Sequence, residues 1–159
     1  MNTRPAALLL RVGILAMAFE SGLIAVHALF FPRYFYEAFL LGRGWVQMLP
    51  PYNEHITRDL GALYLGFFVV LAYAALKLSR DVVNASILGF IAATVPHMVF
   101  HALHTHDAPL LLDKILQVGL LAVTVIICAA LLLLANRYFA ALEHRTETGP
   151  VMARQGVPR

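Results

Sequence analysis

Apolar residues along this chain come in long runs broken only by short polar stretches, and the runs mark out four helical spans. The first reaches roughly from Ala6 to Phe31 and the second from Ile56 to Leu76. The third runs from Ala85 to His104 and the fourth from Leu110 to Asn136. Each is near or above the ~20 residues that cross ~30 Å of hydrocarbon. The first and last are long enough to tilt or to project beyond the bilayer. The fourth is the purest, with no charge from Val118 to Ala135. The expected fold is all-α: a polytopic integral membrane four-helix bundle occupying residues 1–142. From Glu143 onward the chain is polar, contains Gly149, Pro150, Gly156 and Pro158, and has no apolar period. Residues 143–159 therefore read as a flexible cytoplasmic tail.

The polar breaks differ in character. The longest, Pro32 to His55, contains "RYFYEAFLLGRGW", which mixes Tyr34, Phe35, Tyr36, Phe39, Leu40 and Trp45 with arginines. Aromatic rings and arginines together favour the headgroup zone, so an interfacial helix on the outer surface is expected between spans one and two. Gly42 and Gly44 would end it, and Pro50-Pro51 would force an extended approach to span two. This segment reads as an interfacial anchor, or more sharply as a lid over a pocket.

Composition supports the membrane reading. Of 159 residues 60% are hydrophobic and 13% charged, and the mean hydropathy is +0.75, more apolar surface than a soluble domain of this size needs. The formal charge of +3 sits mostly near helix ends, so it is a topology signal rather than a nucleic-acid patch. Arg4 and Arg11, then Lys77 and Arg80, then Arg137, Arg145, Arg154 and Arg159 fall on one side of four crossings. The positive-inside rule makes that side cytoplasmic and puts both termini there. Arg4, the apolar run after it and Ala16-Met17-Ala18 imitate a cleavable signal peptide. Arg11 within the run, and hydrophobicity continuing to Phe31, favour a retained first helix. The single cysteine, Cys128, lies inside an apolar run and allows no intrachain disulfide.

The strongest chemical signal is "PHMVFHALHTH", Pro96 to His106, which holds four of the seven histidines. At ~100° per residue His97, His101 and His104 share one helical face. Pro96 would free the carbonyl of Ala92 from its helical bond. Other spans bring polar groups to the same level: Glu20 and His27 on span one, and His55 with Asp59 at i,i+4 in "YNEHITRD" on span two. Span four opens with Asp113, Lys114 and Gln117. Ionisable groups at membrane depth cost several kcal/mol unless they pair, bind metal or reach water. The expectation is that His97 and His101 face the interior and that at least one of His27, His55, Asp59 and Glu20 approaches them. His97, His101, His55, Asp59, Glu20 and His27 are thus candidate metal ligands, with His104 and Glu54 carrying less weight and His106 on the opposite face or already in the loop. Imidazole with carboxylate suits zinc, iron, manganese or copper. Haem is the weaker fit, since no spacing marks its axial ligands. Asp59 and Arg58 are adjacent, so their side chains diverge. Asp59 is expected toward the bundle centre and Arg58 toward the headgroups or Glu54. Gly61, Ala62 and Gly66 suggest close helix packing.

"RDLGALYLGFFVVLAY" after an outer loop resembles the small bacterial four-helix membrane proteins of the DoxX-like families. "PYNEHITRD" with the later "HMVFHALH" is similar to small uncharacterised membrane proteins of actinobacterial type. The resemblance implies a four-helix membrane bundle and brings no chemistry onto particular residues. The histidine-rich third span departs from ordinary DoxX-like members.

Two functions remain. In one, the His/carboxylate cluster is a divalent-metal or proton site acting on a lipid-soluble substrate. In the other, the chain is a non-catalytic accessory or ligand-binding subunit of a larger membrane complex, and the cluster is a structural polar network. Neither requires the chain to be an enzyme. Membrane lipids are the expected surroundings and a homo-oligomer or larger complex the expected company; nucleic acid is not a partner.

Overall fold

The computed structural model describes residues 3–40, 42–48, 51–105 and 110–154. Among them there is no strand. Five α-helices follow one another: α1 (Thr3–Phe30), α2 (Pro32–Ala38), α3 (Glu54–Lys77), α4 (Arg80–Leu103) and α5 (Leu111–Arg154), with a single 3-10 turn at Val46–Met48 before α3. Four helices are long and apolar enough to cross a membrane: Thr3–Phe30, Glu54–Lys77, Arg80–Leu103 and the Leu111–Thr146 part of α5. They support a multi-pass membrane protein. So does the surface, where Leu8, Phe19, Ile126 and Leu133 are among many large apolar side chains left exposed, far beyond what a soluble monomer shows to water.

Local chemistry sets the helix ends. Pro32 starts α2, where its missing N–H costs nothing. Leu40 (φ 59°), Gly42 (φ 69°) and Gly44 (φ 62°) then take left-handed backbone and turn the chain. Asn53 caps α3, its side chain accepting from Ile56 N at 3.2 Å. At the other end of α3, Leu78 adopts the left-handed conformation and its N–H closes on Ala74 O at 2.8 Å, so α4 begins only two residues later. Inside the apolar helices Ser21, Ser86 and Thr94 turn their hydroxyls onto carbonyls four residues back, which satisfies them without a partner helix.

Helix α1 lies chiefly against α3, and α4 chiefly against α5; α1 also touches α5, and α3 touches α4. The apolar core gathers toward the tight α3–α4 turn. There Leu10, Ile14, Leu71, Val83, Ile87 and Cys128 are fully covered. At Gly61 the backbones of α1 and α3 come close, and an added Cβ would sit 2.8 Å from Leu29 N. Gly66 has open space instead, so only the first of the two glycines expected at a close helix contact makes one.

Two stretches depart from the sequence reading. Helix α5 does not stop near Asn136. It runs 44 residues to Arg154, about 66 Å at helical rise, through the polar stretch that lacks apolar periodicity. The early part of that stretch is tied by charge rather than by burial: Arg80 donates to Glu143 at 2.7 Å, and Arg145 reaches the Thr3 hydroxyl at 3.4 Å. The second is α2, which stops at Ala38, short of the Gly42 and Gly44 expected to end it; Pro96 sits inside α4, as the third span expects.

Candidate functional site

The polar side chains of the loop end do meet, but around a different centre from the one the histidine spacing suggests. Asp113, in the first turn of α5, is only 3% exposed. Its Oδ1 accepts from Arg43 Nε and, at 2.8 Å, from Trp45 Nε1. Both donors come from the irregular segment after α2. The left-handed residues Gly42 and Gly44 bracket Arg43 and turn it and Trp45 toward α5. One turn further along α5, Gln117 is 8% exposed. Its Nε2 donates to Met48 Sδ at 3.4 Å, and its Oε1 lies 3.1 Å from His101 Nδ1. His101 Nε2 in turn lies 2.9 Å from His97 Nε2.

This chain of contacts fixes the tautomers. Gln117 turns its amide nitrogen to Met48, so its oxygen accepts from His101 Nδ1–H. The other nitrogen of a neutral His101 is then an acceptor, and His97 Nε2–H donates to it. Loop, α5 and α4 are thereby linked in one line: Arg43 and Trp45 on Asp113, Met48 on Gln117, His101 on Gln117, His97 on His101. Trp45 itself is buried. Arg43 and Trp45 therefore cover the start of α5. From α2 itself the Tyr36 hydroxyl donates to Gln47 O at 3.4 Å, and the Tyr36 and Tyr52 rings pack 5.4 Å apart. Burial, and after it the neighbouring Glu54 carboxylate, push the Tyr52 hydroxyl above its ordinary range, so it remains a donor.

The predicted ligands fall elsewhere. Among the described residues no group of three or more His, Cys, Asp or Glu side chains stands close enough to hold a metal ion. His97 and His101 do meet, as their i,i+4 spacing requires. His101 is half-buried, but His97 is exposed rather than interior. His55 and Asp59 pair at 3.3 Å, with side chains 85% and 64% exposed, so neither reaches α4. They lie in the first turns after the Asn53 cap and satisfy each other there. The expectation that Asp59 points to the centre is therefore corrected. Arg58 does diverge from it, onto Glu54 at 2.8 Å and onto the Leu29 carbonyl. His27 donates from Nδ1 to Leu23 O at 2.7 Å and packs its ring among Phe31, Tyr34 and Phe39. Glu20 is half-buried on α1, within electrostatic reach of Tyr64 and Cys128 rather than of the histidines. His104 donates to Phe100 O at 2.8 Å and stacks on that ring at 4.1 Å. His106 lies outside the described residues.

The missed partners were visible as types but not as a set. Asp113 and Gln117 sit four residues apart on one helical face, and Arg43 and Trp45 flank a glycine. Nothing in spacing joins positions 68 and 70 residues apart in sequence. No family model matches the chain, and neither the curated proteins nor the solved structures compared with it give a match.

Proposed function

We propose that the chain is a four-helix membrane bundle that serves as a non-catalytic binding or accessory subunit, its polar cluster acting as a structural network. The observation that carries this reading is the buried Asp113 carboxylate, neutralised by Arg43 and hydrogen-bonded by Trp45. A carboxylate already held by two donors has its charge used in fixing the loop. Gln117 and His101 extend the same use of polarity to α4. In this reading α2 and the aromatic segment lie at the lipid interface, as a docking surface for lipid or for a partner subunit. The DoxX-like resemblance implies the same architecture. Arg4, Arg11, Lys77 and Arg80 favour a cytoplasmic α3–α4 turn, with both termini on that side. Reporter fusions after Leu78 and within the Gly42–Gly44 segment test the orientation: the first is expected inside and the second outside, and the reverse pattern sinks it.

One observation favours a second reading. The two Nε2 atoms of His97 and His101 face each other at 2.9 Å, so a spread of about 0.4–0.5 Å would seat both imidazoles on one tetrahedral ion at ~2.0–2.1 Å. A zinc, iron, manganese or copper ion there would need its remaining ligands from water, a substrate or a second copy of the chain. Elemental analysis of the detergent-purified protein separates the readings. The structural reading expects none of the four metals at stoichiometric level. A stoichiometric metal that disappears in His97→Ala and in His101→Ala would overturn it and install the metal site.

A further inference from the structure

Beside the α1–α2 corner lies an open pocket of about 360 Å³ between the end of α1 and the start of α3. Its walls carry two guanidinium groups, Arg33 and Arg58, one carboxylate, Glu54, and the rings of Phe31, Tyr34 and Tyr52. Arg33 spends only its Nε on Glu37, at 2.9 Å, and stands 5.7 Å over the Tyr52 ring. Among the described residues nothing is bonded to its two terminal nitrogens. Arg58 is held by Glu54 through Nε and Nη2 and by the Leu29 carbonyl through Nη1. Of the five N–H groups on a guanidinium, two remain on Arg58 and four on Arg33, enough to surround the oxygens of a phosphodiester.

The balance of charge narrows the ligand. Arg33 and Arg58 are offset by Glu37 and Glu54, so the corner has no net attraction for an anion alone. It does offer guanidinium groups beside a carboxylate, Glu54, that Arg58 already pairs, and tyrosine rings suited to a cation, one of them under Arg33. Phe30 and Phe31, which line the pocket, are exposed, so apolar surface flanks the charged groups. On the reading that α1 and α3 cross a membrane, this is the level where acyl chain gives way to headgroup.

We propose that this corner holds the headgroup of a zwitterionic phospholipid, its phosphate on Arg33 and Arg58 and its ammonium against Glu54 and the tyrosine rings. Arg33 is the deciding residue to test, because its side chain is 76% exposed and its ion pair, to Glu37, stays within α2. Arg58 also secures the end of α1, so its variants confound binding with packing.

The full-length protein in maltoside micelles is titrated with monomeric dihexanoylphosphatidylethanolamine, dihexanoylphosphatidylglycerol and inorganic phosphate. Binding is read by native mass spectrometry and by the thermal midpoint. The zwitterionic lipid is expected to bind one per chain, and the anionic lipid and free phosphate about tenfold more weakly or worse. Arg33→Gln should weaken the zwitterionic lipid about tenfold, the size of one lost charge-assisted contact. Glu54→Gln should narrow its advantage over the anionic lipid. Equal or tighter binding of the anionic lipid, reproduction of the effect by phosphate alone, or an indifferent Arg33→Gln overturns the proposal. An unchanged preference in Glu54→Gln overturns the placement of the ammonium. A chain that stays monodisperse without detergent would instead fail the membrane reading, and this occupant with it.

Discussion

The two ends of the molecule are held together by different chemistry. Toward the tight α3–α4 turn the helices meet through apolar side chains: Leu10 and Ile14, Leu71, Val83 and Ile87, Leu131 and Phe139. Toward the loop end the buried set includes Ser21, Ala25 and Ala28, Thr57, Thr94, Asp113 and Gln117, with Phe35 from α2 and Trp45 from the segment after it. The first half relies chiefly on shape, with Ser86 tied to its own helix and Asn84–Asn136 and Arg80–Glu143 as polar links between α4 and α5. In lipid, apolar contact between helices gains little from water exclusion, so close packing has to supply the association. The second half carries irregular backbone and ionisable side chains, which are tolerated at that depth only where each polar group finds a partner. The contrast assigns the turn half to scaffold. The loop half is the part whose arrangement can change when a ligand or partner competes for its hydrogen bonds.

The largest expected effect follows from cutting the loop's anchor. Asp113→Ala leaves the guanidinium of Arg43 and the indole N–H of Trp45 without their acceptor. Breaking such a buried pair costs about 2–4 kcal/mol, the lower end because Arg43 can turn outward. Trp45 is the only tryptophan in the chain, so its fluorescence reports the loop alone. Emission should shift to the red in Asp113→Ala while helix content, by circular dichroism, stays unchanged. Ile87→Ala, in the turn half, should lower the thermal midpoint in detergent and leave the emission where it was. A red shift in Ile87→Ala, or none in Asp113→Ala, would show that the two halves do not act separately.

Some of this contrast is legible in sequence. Unbroken apolar runs announce the four long helices because length and hydropathy decide them locally. The short helix after Phe31 is legible from Pro32 and the aromatic run, but it ends at Ala38, before the glycines expected to end it, and Gly42 and Gly44 supply the positive φ of the turn that follows. The gathering of polar residues at the loop end is legible as well. Their pairing is not. Helix α4 is apolar on nearly every side, so the pattern does not fix its rotation, and His97 is exposed although it shares a face with half-buried His101. Likewise i,i+4 spacing joins His55 to Asp59 correctly but cannot say that the shared face points outward. The Asp113 contacts depend on how a loop folds back across the helices, which no periodicity encodes.

A smaller effect separates two glycines of one helix. Gly61→Ala puts a methyl group against the Leu29 backbone and the Ala28 side chain at 2.8–3.0 Å. Helices α1 and α3 must then part, at about 1–3 kcal/mol for overpacking. Gly66→Ala meets nothing within 4 Å and should be neutral or stabilising by up to about 1 kcal/mol, from better helix propensity. Thermal midpoints of the two variants in detergent check the difference. Equal losses would mean that the close approach is not confined to the loop half.

The smallest effect tests what the histidines are for. His101 links two partners, Gln117 and His97, whereas His97 links only to His101 in this line of contacts. As a hydrogen-bonded network, His101→Ala should cost about 0.6–1.7 kcal/mol, the range for polar contacts between membrane helices. His97→Ala should cost less, because it leaves the Gln117–His101 contact standing. A bridging ion predicts a different pattern, since losing either imidazole opens the same bridge and the two variants should fall together. Chelator treatment of the wild type distinguishes them again: the network keeps its thermal midpoint, and the ion-bridged pair loses stability by the ion's binding free energy. A larger loss in His97→Ala than in His101→Ala fits neither arrangement and would mean that exposed His97 meets a partner outside this chain, which cross-linking through a cysteine at position 97 in the membrane would then locate.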